Sequence, residues 1–101
     1  MPLFLYRIEP TRAEMPEAPT PEELALVSRH FSHLKSAYDR GVVRYVGRTE
    51  ERPHLGLALL EVGSREEAQA FLSADPAVAA GVFRGSVQPF REILPMASSS
   101  R

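Results

Sequence analysis

The sequence contains no cysteine, no long apolar run and no excess of charge of either sign. The absence of cysteine excludes disulfides, thiolate chemistry and cysteine metal ligands. Twelve basic side chains stand against thirteen acidic ones, for a formal net charge of −1, so the chain lacks the broad positive surface that binds nucleic-acid phosphates. No stretch approaches the roughly 18 apolar residues of a membrane span, and the first residues do not resemble a signal peptide. We therefore expect a soluble cytoplasmic protein with neither nucleic acid nor membrane as partner.

The length limits the number of domains. With 101 residues, of which 44% are hydrophobic and 25% charged, the chain suits one domain with a modest core. We assign residues 1–94 to this single domain. Residues 95–101, which include three consecutive serines, are predicted to form a flexible C-terminal tail.

The hydrophobic pattern predicts alternating strands and helices. Two helix starts carry capping boxes, at Thr20 and at Ser64, and Gly41 is placed to end the first helix. Predicted strands cover residues 3–8, 42–47, 54–62 and 82–93. Predicted helices cover residues 21–40 and 65–73, and a turn or short helix covers residues 77–81.

The first helix carries apolar residues at spacings of three and four, which predicts a buried stripe. Its members are Leu24, Val27, Phe31, Leu34 and Tyr38. His30 lies beside this stripe, so we expect its imidazole at the margin between core and solvent.

The order strand, helix, strand, strand, helix, strand predicts an α+β, ferredoxin-like βαββαβ fold with a four-stranded antiparallel sheet. Two helices cover only one face of such a sheet. The first and third strands are apolar on both faces, through Leu3 to Leu5 and Leu57 to Leu60. This favours a homodimer with sheets packed face to face, the dimeric α/β barrel arrangement.

His30 and Asp75 are the candidate catalytic residues. A carboxylate beside an imidazole orients it for general acid-base chemistry. From the residues alone, the favoured interpretation of His30 is a helix-edge histidine that hydrogen-bonds a carbonyl or meets water, and only the family resemblance described below reverses that preference. Asp75 precedes Pro76, and an aspartate there commonly accepts backbone N–H bonds in a turn. The two roles of Asp75 are compatible.

Several motifs resemble those of the YciI-like (YCII-related) family. The run from Asp75-Pro76 through Gly81-Val82-Phe83, continued by Pro89-Phe90, is similar to the family signature at its C-terminal end. His30, eleven residues before Gly41, occupies the position of the family histidine, and Gly47 that of the glycine closing the next strand. The resemblance covers nearly the whole chain. It implies a ferredoxin-like fold, a dimer and a His-Asp pair as active centre.

Two departures from the family pattern affect the expected pocket. Ser28-Arg29 precedes His30 where family members often have Arg-Pro, and Val46-Gly47-Arg48 replaces Ala-Gly-Pro. The resemblance names no substrate, although some family members are tied to the degradation of substituted aromatic compounds.

The resulting functional hypothesis is a small enzyme in which His30 transfers a proton and Asp75 fixes its tautomer. The reaction would be of the lyase, isomerase or dehydrochlorinase type, on a small aromatic or lactone-like molecule already activated for proton transfer. A non-catalytic module that binds a metabolite or only assembles is the alternative. Geometry separates the two, since an enzyme requires both side chains in contact within a concave pocket.

The remaining candidates are binding residues. Arg29, Arg44 and Arg48 are the cations nearest the predicted cleft. A solvated arginine at a strand end or hairpin is the default interpretation of each, and Arg48 is the preferred candidate for binding an anion. We therefore predict substrate contacts from Arg48, Gly47 and Arg29. No cofactor is predicted. His33, one helical turn from His30, and His54 lack a recognised metal-ligand spacing, so no metal is predicted. Tyr6 and Tyr45 are assigned to the core or a dimer interface rather than to a pocket.

Overall fold

The computed structural model of the protein describes residues 2–95. Its strands are β1 (Leu3–Pro10), β2 (Val43–Arg48), β3 (Gly56–Glu61) and β4 (Phe83–Phe90), and its helices are α1 (Pro21–Asp39), α2 (Arg65–Ser73) and the single-turn α3 (Pro76–Ala79). The predicted elements are confirmed in type and order, but the first strand continues to Pro10 rather than ending at residue 8, and the last strand ends at Phe90 rather than at residue 93. Of the predicted tail, only Pro95 lies within the described residues.

The four strands form one antiparallel sheet in the order β2-β3-β1-β4. β1 is central, and its Leu5 lies opposite Leu59 of β3 on one side and Gln88 of β4 on the other. With the βαββαβ connectivity, this order is the ferredoxin-like arrangement. The predicted α+β fold class is therefore confirmed.

The helix ends follow the sequence signals. At the start of α1 the Thr20 hydroxyl accepts from the Glu23 backbone N–H, and the Glu23 carboxylate accepts from the Thr20 N–H. At its end Gly41 has a φ of +83°, and the N–H of Val42 donates to the carbonyl of Ala37 at 2.9 Å. This Schellman motif, with glycine in the left-handed region, confirms the predicted stop.

The core lies between the sheet and the helices. Alternate residues of β1, namely Phe4, Tyr6 and Ile8, are buried against the helices. The apolar stripe predicted for α1 is largely wrong, because Leu24, Phe31 and Tyr38 are 56%, 61% and 54% exposed.

The helix is rotated relative to that expectation. The residues of α1 that are buried are Leu34 and Ala37, and at 100° per residue they lie about a quarter turn from the line through Phe31. The small Ala37 allows α1 to approach the sheet closely. His30 lies on this buried side rather than at the margin, and its side chain is only 12% exposed.

Among residues 2–95, none of the helices has the length and apolarity that crossing a membrane requires.

Candidate active site

Asp75 lies at the junction between α2 and α3 and is fully buried. It is the N-cap residue of α3, and its Oδ1 accepts the backbone N–H of Ala77 at 2.9 Å. Pro76 follows at the first helical position, where its fixed φ suits the turn and no N–H is required. The local sequence therefore holds one carboxylate oxygen in the turn and leaves Oδ2 for side-chain donors.

The His30 imidazole reaches that second oxygen from α1. Its Nδ1 lies 2.6 Å from Oδ2 of Asp75, across 45 positions of sequence. The ring also meets the edge of Phe83, at the start of β4, with centroids 5.0 Å apart and planes inclined by 65°. The structure thus brings together the two side chains that the sequence selected, at hydrogen-bond distance.

A third side chain, predicted to lie in the core or a dimer interface, completes this cluster. Tyr6 of β1 is 1% exposed, and its hydroxyl hydrogen-bonds to the same Oδ2 of Asp75. Its ring meets Phe71 of α2 edge-on, with centroids 5.7 Å apart. The core position of Tyr6 agrees with the sequence analysis, but its contact with Asp75 depends on strand register. The sequence carried one signal for this contact. Residues of a strand alternate between the two faces of the sheet, and Tyr6 lies on the face of β1 that packs against the helices.

The protonation state of the cluster follows from its hydrogen bonds. Burial opposes ionisation of Asp75, but the hydrogen bonds from His30 and Tyr6 outweigh it, and the pKa of the carboxyl is lowered. Burial first, and then the bond to Asp75, raise the pKa of the Tyr6 hydroxyl well above its usual range. Tyr6 is therefore a neutral donor and Asp75 an anionic acceptor. Because a carboxylate only accepts, Nδ1 of His30 carries a proton, and Nε2 of the neutral ring has a free lone pair.

His33, one turn along α1, has a different environment. Its Nε2 lies 3.1 Å from the backbone carbonyl of Phe71, and its ring stacks on the Phe71 ring at 4.3 Å. A carbonyl only accepts, so Nε2 carries the proton here. His33 therefore links α1 to α2.

The predicted binding residues lie on α1 and at the end of β2. Arg29 is exposed on α1, and Gly47 and Arg48 end β2, at the sheet edge opposite β4. Three inter-strand spacings, roughly 14 Å, separate the β2 and β4 backbones. Gly47 lies under the ring of Tyr45, whose hydroxyl would be 3.0 Å from an added Cβ.

His54 lies just before β3, and its side chain is 16% exposed. Its Nε2 lies 2.9 Å from Oε2 of Glu17, and Arg52 pairs with the same carboxylate at 2.7 Å. Among residues 2–95, no group of three or more His, Cys, Asp or Glu side chains is arranged to hold a metal ion.

Two surface depressions lie away from the His30–Asp75 pair. One, of about 400 Å³, runs along the outer side of α1 beside Phe31 and Lys35. The other, of about 190 Å³, lies on β1 and β4 and is lined by Arg7, Glu9, Arg84 and Ser86 among others. Neither is lined by His30 or Asp75.

The fold and the cluster together define a ferredoxin-like α+β protein with a buried aspartate bonded to an imidazole and a phenol. The sequence matches the profile of the YCII-related domain over residues 4–91, so the chain belongs to the YCII-related family. The predicted family assignment is therefore confirmed. No functionally curated protein matches the sequence.

Among solved structures, the chain is similar to 5-chloro-2-hydroxyhydroquinone dehydrochlorinase from Burkholderia phenoliruptrix AC1100, in complex with 2,5-dihydroxybenzoquinone. The TM-score is 0.69 and the identity 17%, over 89% of this chain and 94% of that one. At this identity the likeness establishes a shared fold.

Proposed function

We propose that the protein is a small-molecule enzyme in which His30 acts as general base and acid and Asp75 orients it. The observation that carries this proposal is the 2.6 Å contact between Nδ1 of His30 and Oδ2 of the fully buried Asp75. An anionic carboxylate removed from solvent is costly unless donors surround it. Here the donors include an imidazole, which thereby presents its other nitrogen for chemistry.

The chemistry available to this pair is proton transfer. Nε2 of neutral His30 removes a proton from the substrate, and Asp75 stabilises the resulting imidazolium. The same Nε2 then returns the proton to the product or to a leaving group. Such assistance contributes roughly 10²–10⁴ in rate. It suits an activated carbon acid, a lactone or an elimination, which are reactions of the isomerase, lyase and dehydrochlorinase type.

The proposed substrates are small aromatic or lactone-like molecules, consistent with ligand binding in the dehydrochlorinase of similar fold. Arg48, Gly47 and Arg29 remain proposed substrate contacts. Of these, Arg29 directly precedes His30 on α1. A guanidinium is suited to a carboxylate or phenolate oxygen.

A panel of lactones, enol acids, halogenated phenols and 5-chloro-2-hydroxyhydroquinone tests the proposal. We expect turnover by the wild type, a loss of at least about 100-fold in His30→Gln, and near wild-type rates in His33→Gln. His33 is the matched control because it lies on the same helix with its own hydrogen bond. Turnover that is unchanged in His30→Gln would contradict the role of His30.

We also propose that two copies pair through the sheet face that the helices leave uncovered. Leu5 and Leu59 are neighbours on this face, and Tyr45 of β2 follows in the same row. Tyr45 is 58% exposed and Leu57, two residues before Leu59, is 36% exposed. A second sheet would remove this apolar row from water.

One observation favours a second candidate function, a metabolite-binding or assembly module without catalysis. His30 is only 12% exposed and lines neither surface depression. Under this alternative the cluster holds α1 against α3. Ligand binding by the wild type without turnover, retained in His30→Gln, would favour it.

A further inference from the structure

Tyr6 is a buried titratable residue that the proposed proton transfer does not use directly. It is 1% exposed and lies at the centre of the sheet, paired with Ala58 of β3 and Val87 of β4. Its hydroxyl donates to Oδ2 of Asp75, the same oxygen that accepts from Nδ1 of His30. A phenylalanine would fill the same apolar space, so the hydroxyl requires an explanation of its own.

We propose that Tyr6 is a positioning residue, whose hydroxyl keeps the Asp75 carboxylate ionised and aimed so that His30 retains its proton on Nδ1. The relevance of this role to catalysis rests on the proposed function of His30. The hydrogen-bonded arrangement of Tyr6, Asp75 and His30 does not rest on that function, because it involves only these three side chains.

The donors around Asp75 come from three separate parts of the chain. Ala77 supplies a backbone N–H to Oδ1, while Tyr6 of β1 and His30 of α1 both donate to Oδ2. Two donors on Oδ2 and one on Oδ1 together oppose rotation of the group. The sheet therefore holds Oδ2 directly, in addition to the imidazole from α1 and the backbone N–H at Oδ1.

The hydroxyl also compensates the buried charge. Among the described residues, the titratable groups bonded to this carboxyl are His30 and Tyr6. Burial raises the pKa of Asp75 and the hydrogen bonds lower it, with a net lowering. Removing one donor shifts this balance toward the protonated acid. A carboxyl group with fewer donors is also held less rigidly, so it fixes the proton on Nδ1 of His30 less firmly.

The test compares Tyr6→Phe with Tyr45→Phe. Both lose one hydroxyl, but Tyr45 is exposed on the outer face of the sheet, away from Asp75. Carboxyl ¹³C NMR reports the titration of Asp75, and side-chain ¹⁵N NMR reports the tautomer of His30. In Tyr6→Phe we expect an upward shift of the Asp75 midpoint and a smaller Nδ1–H fraction of neutral His30. Tyr45→Phe should match the wild type.

A purely structural hydroxyl would lower stability without moving either signal. Unchanged Asp75 titration and His30 tautomer in folded Tyr6→Phe would therefore overturn the proposal. If Tyr6→Phe does not fold, a measurement on the wild-type protein still tests the proposal. The Tyr6 hydroxyl proton should be protected from exchange and show a cross-peak to the Nδ1 proton of His30, because both lie on one oxygen. Absence of such a proton would overturn the proposal equally.

Failure of the positioning role and failure of the enzymatic function are distinguishable, because the NMR measurements need no substrate. If a substrate of the panel is turned over, Tyr6→Phe should lower kcat while leaving KM close to the wild-type value. NMR shifts in Tyr6→Phe without turnover by any form would support the positioning role and count against the enzyme. If His30→Gln loses turnover while Tyr6→Phe keeps the wild-type kcat, the contribution of Tyr6 to catalysis is overturned and the role of His30 is not.

Discussion

His30 and His33 lie one turn apart on α1, yet they form their hydrogen bonds through different ring nitrogens. Nδ1 of His30 contacts the Asp75 carboxylate at 2.6 Å, and Nε2 of His33 contacts the Phe71 carbonyl at 3.1 Å. Both partners are acceptors, so each fixes the proton on the nitrogen it contacts. The free nitrogen is therefore Nε2 in His30 and Nδ1 in His33. The proposed function gives the acid-base role to His30, because its partner is a carboxylate, whereas the partner of His33 is a neutral carbonyl.

Removal of the Asp75 carboxylate should destabilise the fold strongly. Asp75→Ala leaves His30 and Tyr6 without their shared acceptor, and we expect a loss of about 3 kcal/mol in the free energy of unfolding. Asp39→Ala is the control, because Asp39 pairs with Lys35 in an exposed ion pair and should cost at most about 0.5 kcal/mol. Urea denaturation measures both. Equal losses in the two variants would contradict the role of the cluster in stability.

The stability of the protein should fall in acid partly through Asp75. Burial opposes its ionisation and the bonds from His30 and Tyr6 favour it, so the folded pKa lies below the unfolded one. A lowered pKa means that the folded state binds the proton less readily. The contribution is complete above the unfolded pKa, about 3.9, and is lost as the pH falls through the folded value.

The difference between wild type and Asp75→Asn isolates this contribution. The carboxyls of Glu9, Glu17 and Glu23 also have lowered pKa values, but they are present in both proteins. We expect the stability of Asp75→Asn to decrease less steeply between pH 5 and pH 2, an interval chosen to span the ordinary aspartate pKa of about 3.9. Parallel curves from urea unfolding at each pH would show that Asp75 is not preferentially ionised in the folded state.

The cost of replacing Gly81, in the turn after α3, should come from its backbone conformation rather than from a lack of space for a side chain. Gly81 has a φ of +81°, and an added Cβ would meet no atom within 4 Å. Gly81→Ala should therefore cost about 1 kcal/mol from the left-handed conformation alone. Gly81→Asn should cost less, since asparagine tolerates this region better. Thermal or urea unfolding gives both values, and a greater loss for asparagine would show that side-chain size matters instead.

The proposed sheet-to-sheet dimer predicts a specific dependence on Leu57. A charge introduced by Leu57→Glu lies on the uncovered face of β3 and should shift the protein toward monomer in sedimentation equilibrium. Phe31→Glu is the control, because Phe31 is exposed on α1, on the helical side of the sheet. Dissociation caused by Phe31→Glu and not by Leu57→Glu would place the interface on the helices.

The sequence predicted the fold through local signals that the structure preserves. Thr20, Gly41 and the alternation of strands and helices act over a few residues each, so they are readable without tertiary context. Which face of α1 is buried could not be predicted from the sequence. Phe31 and Leu34 both satisfy a helical apolar spacing, and only the packing of Ala37 against the sheet decides which is buried.

The candidate site could be predicted in part, because some of its residues carry local sequence signals. His30 and Asp75 were selected by residue type, by the Asp-Pro turn and by family resemblance, and the structure places them in contact. Tyr6 was predicted to lie in the core or a dimer interface, but its bond to Asp75 spans 69 positions and depends on how β1 packs against the helices. Such a contact has no local signature in the sequence.

The most direct test of the account is a side-chain ¹⁵N NMR spectrum of the wild-type protein at a pH where both histidines are neutral. We expect His30 to be protonated at Nδ1 with an unprotonated Nε2, and His33 to show the reverse. In Asp75→Asn the signal of His30 should change while that of His33 remains. Neutral His30 protonated at Nε2 in the wild type would contradict the account, because the nitrogen assigned to proton transfer would then be occupied.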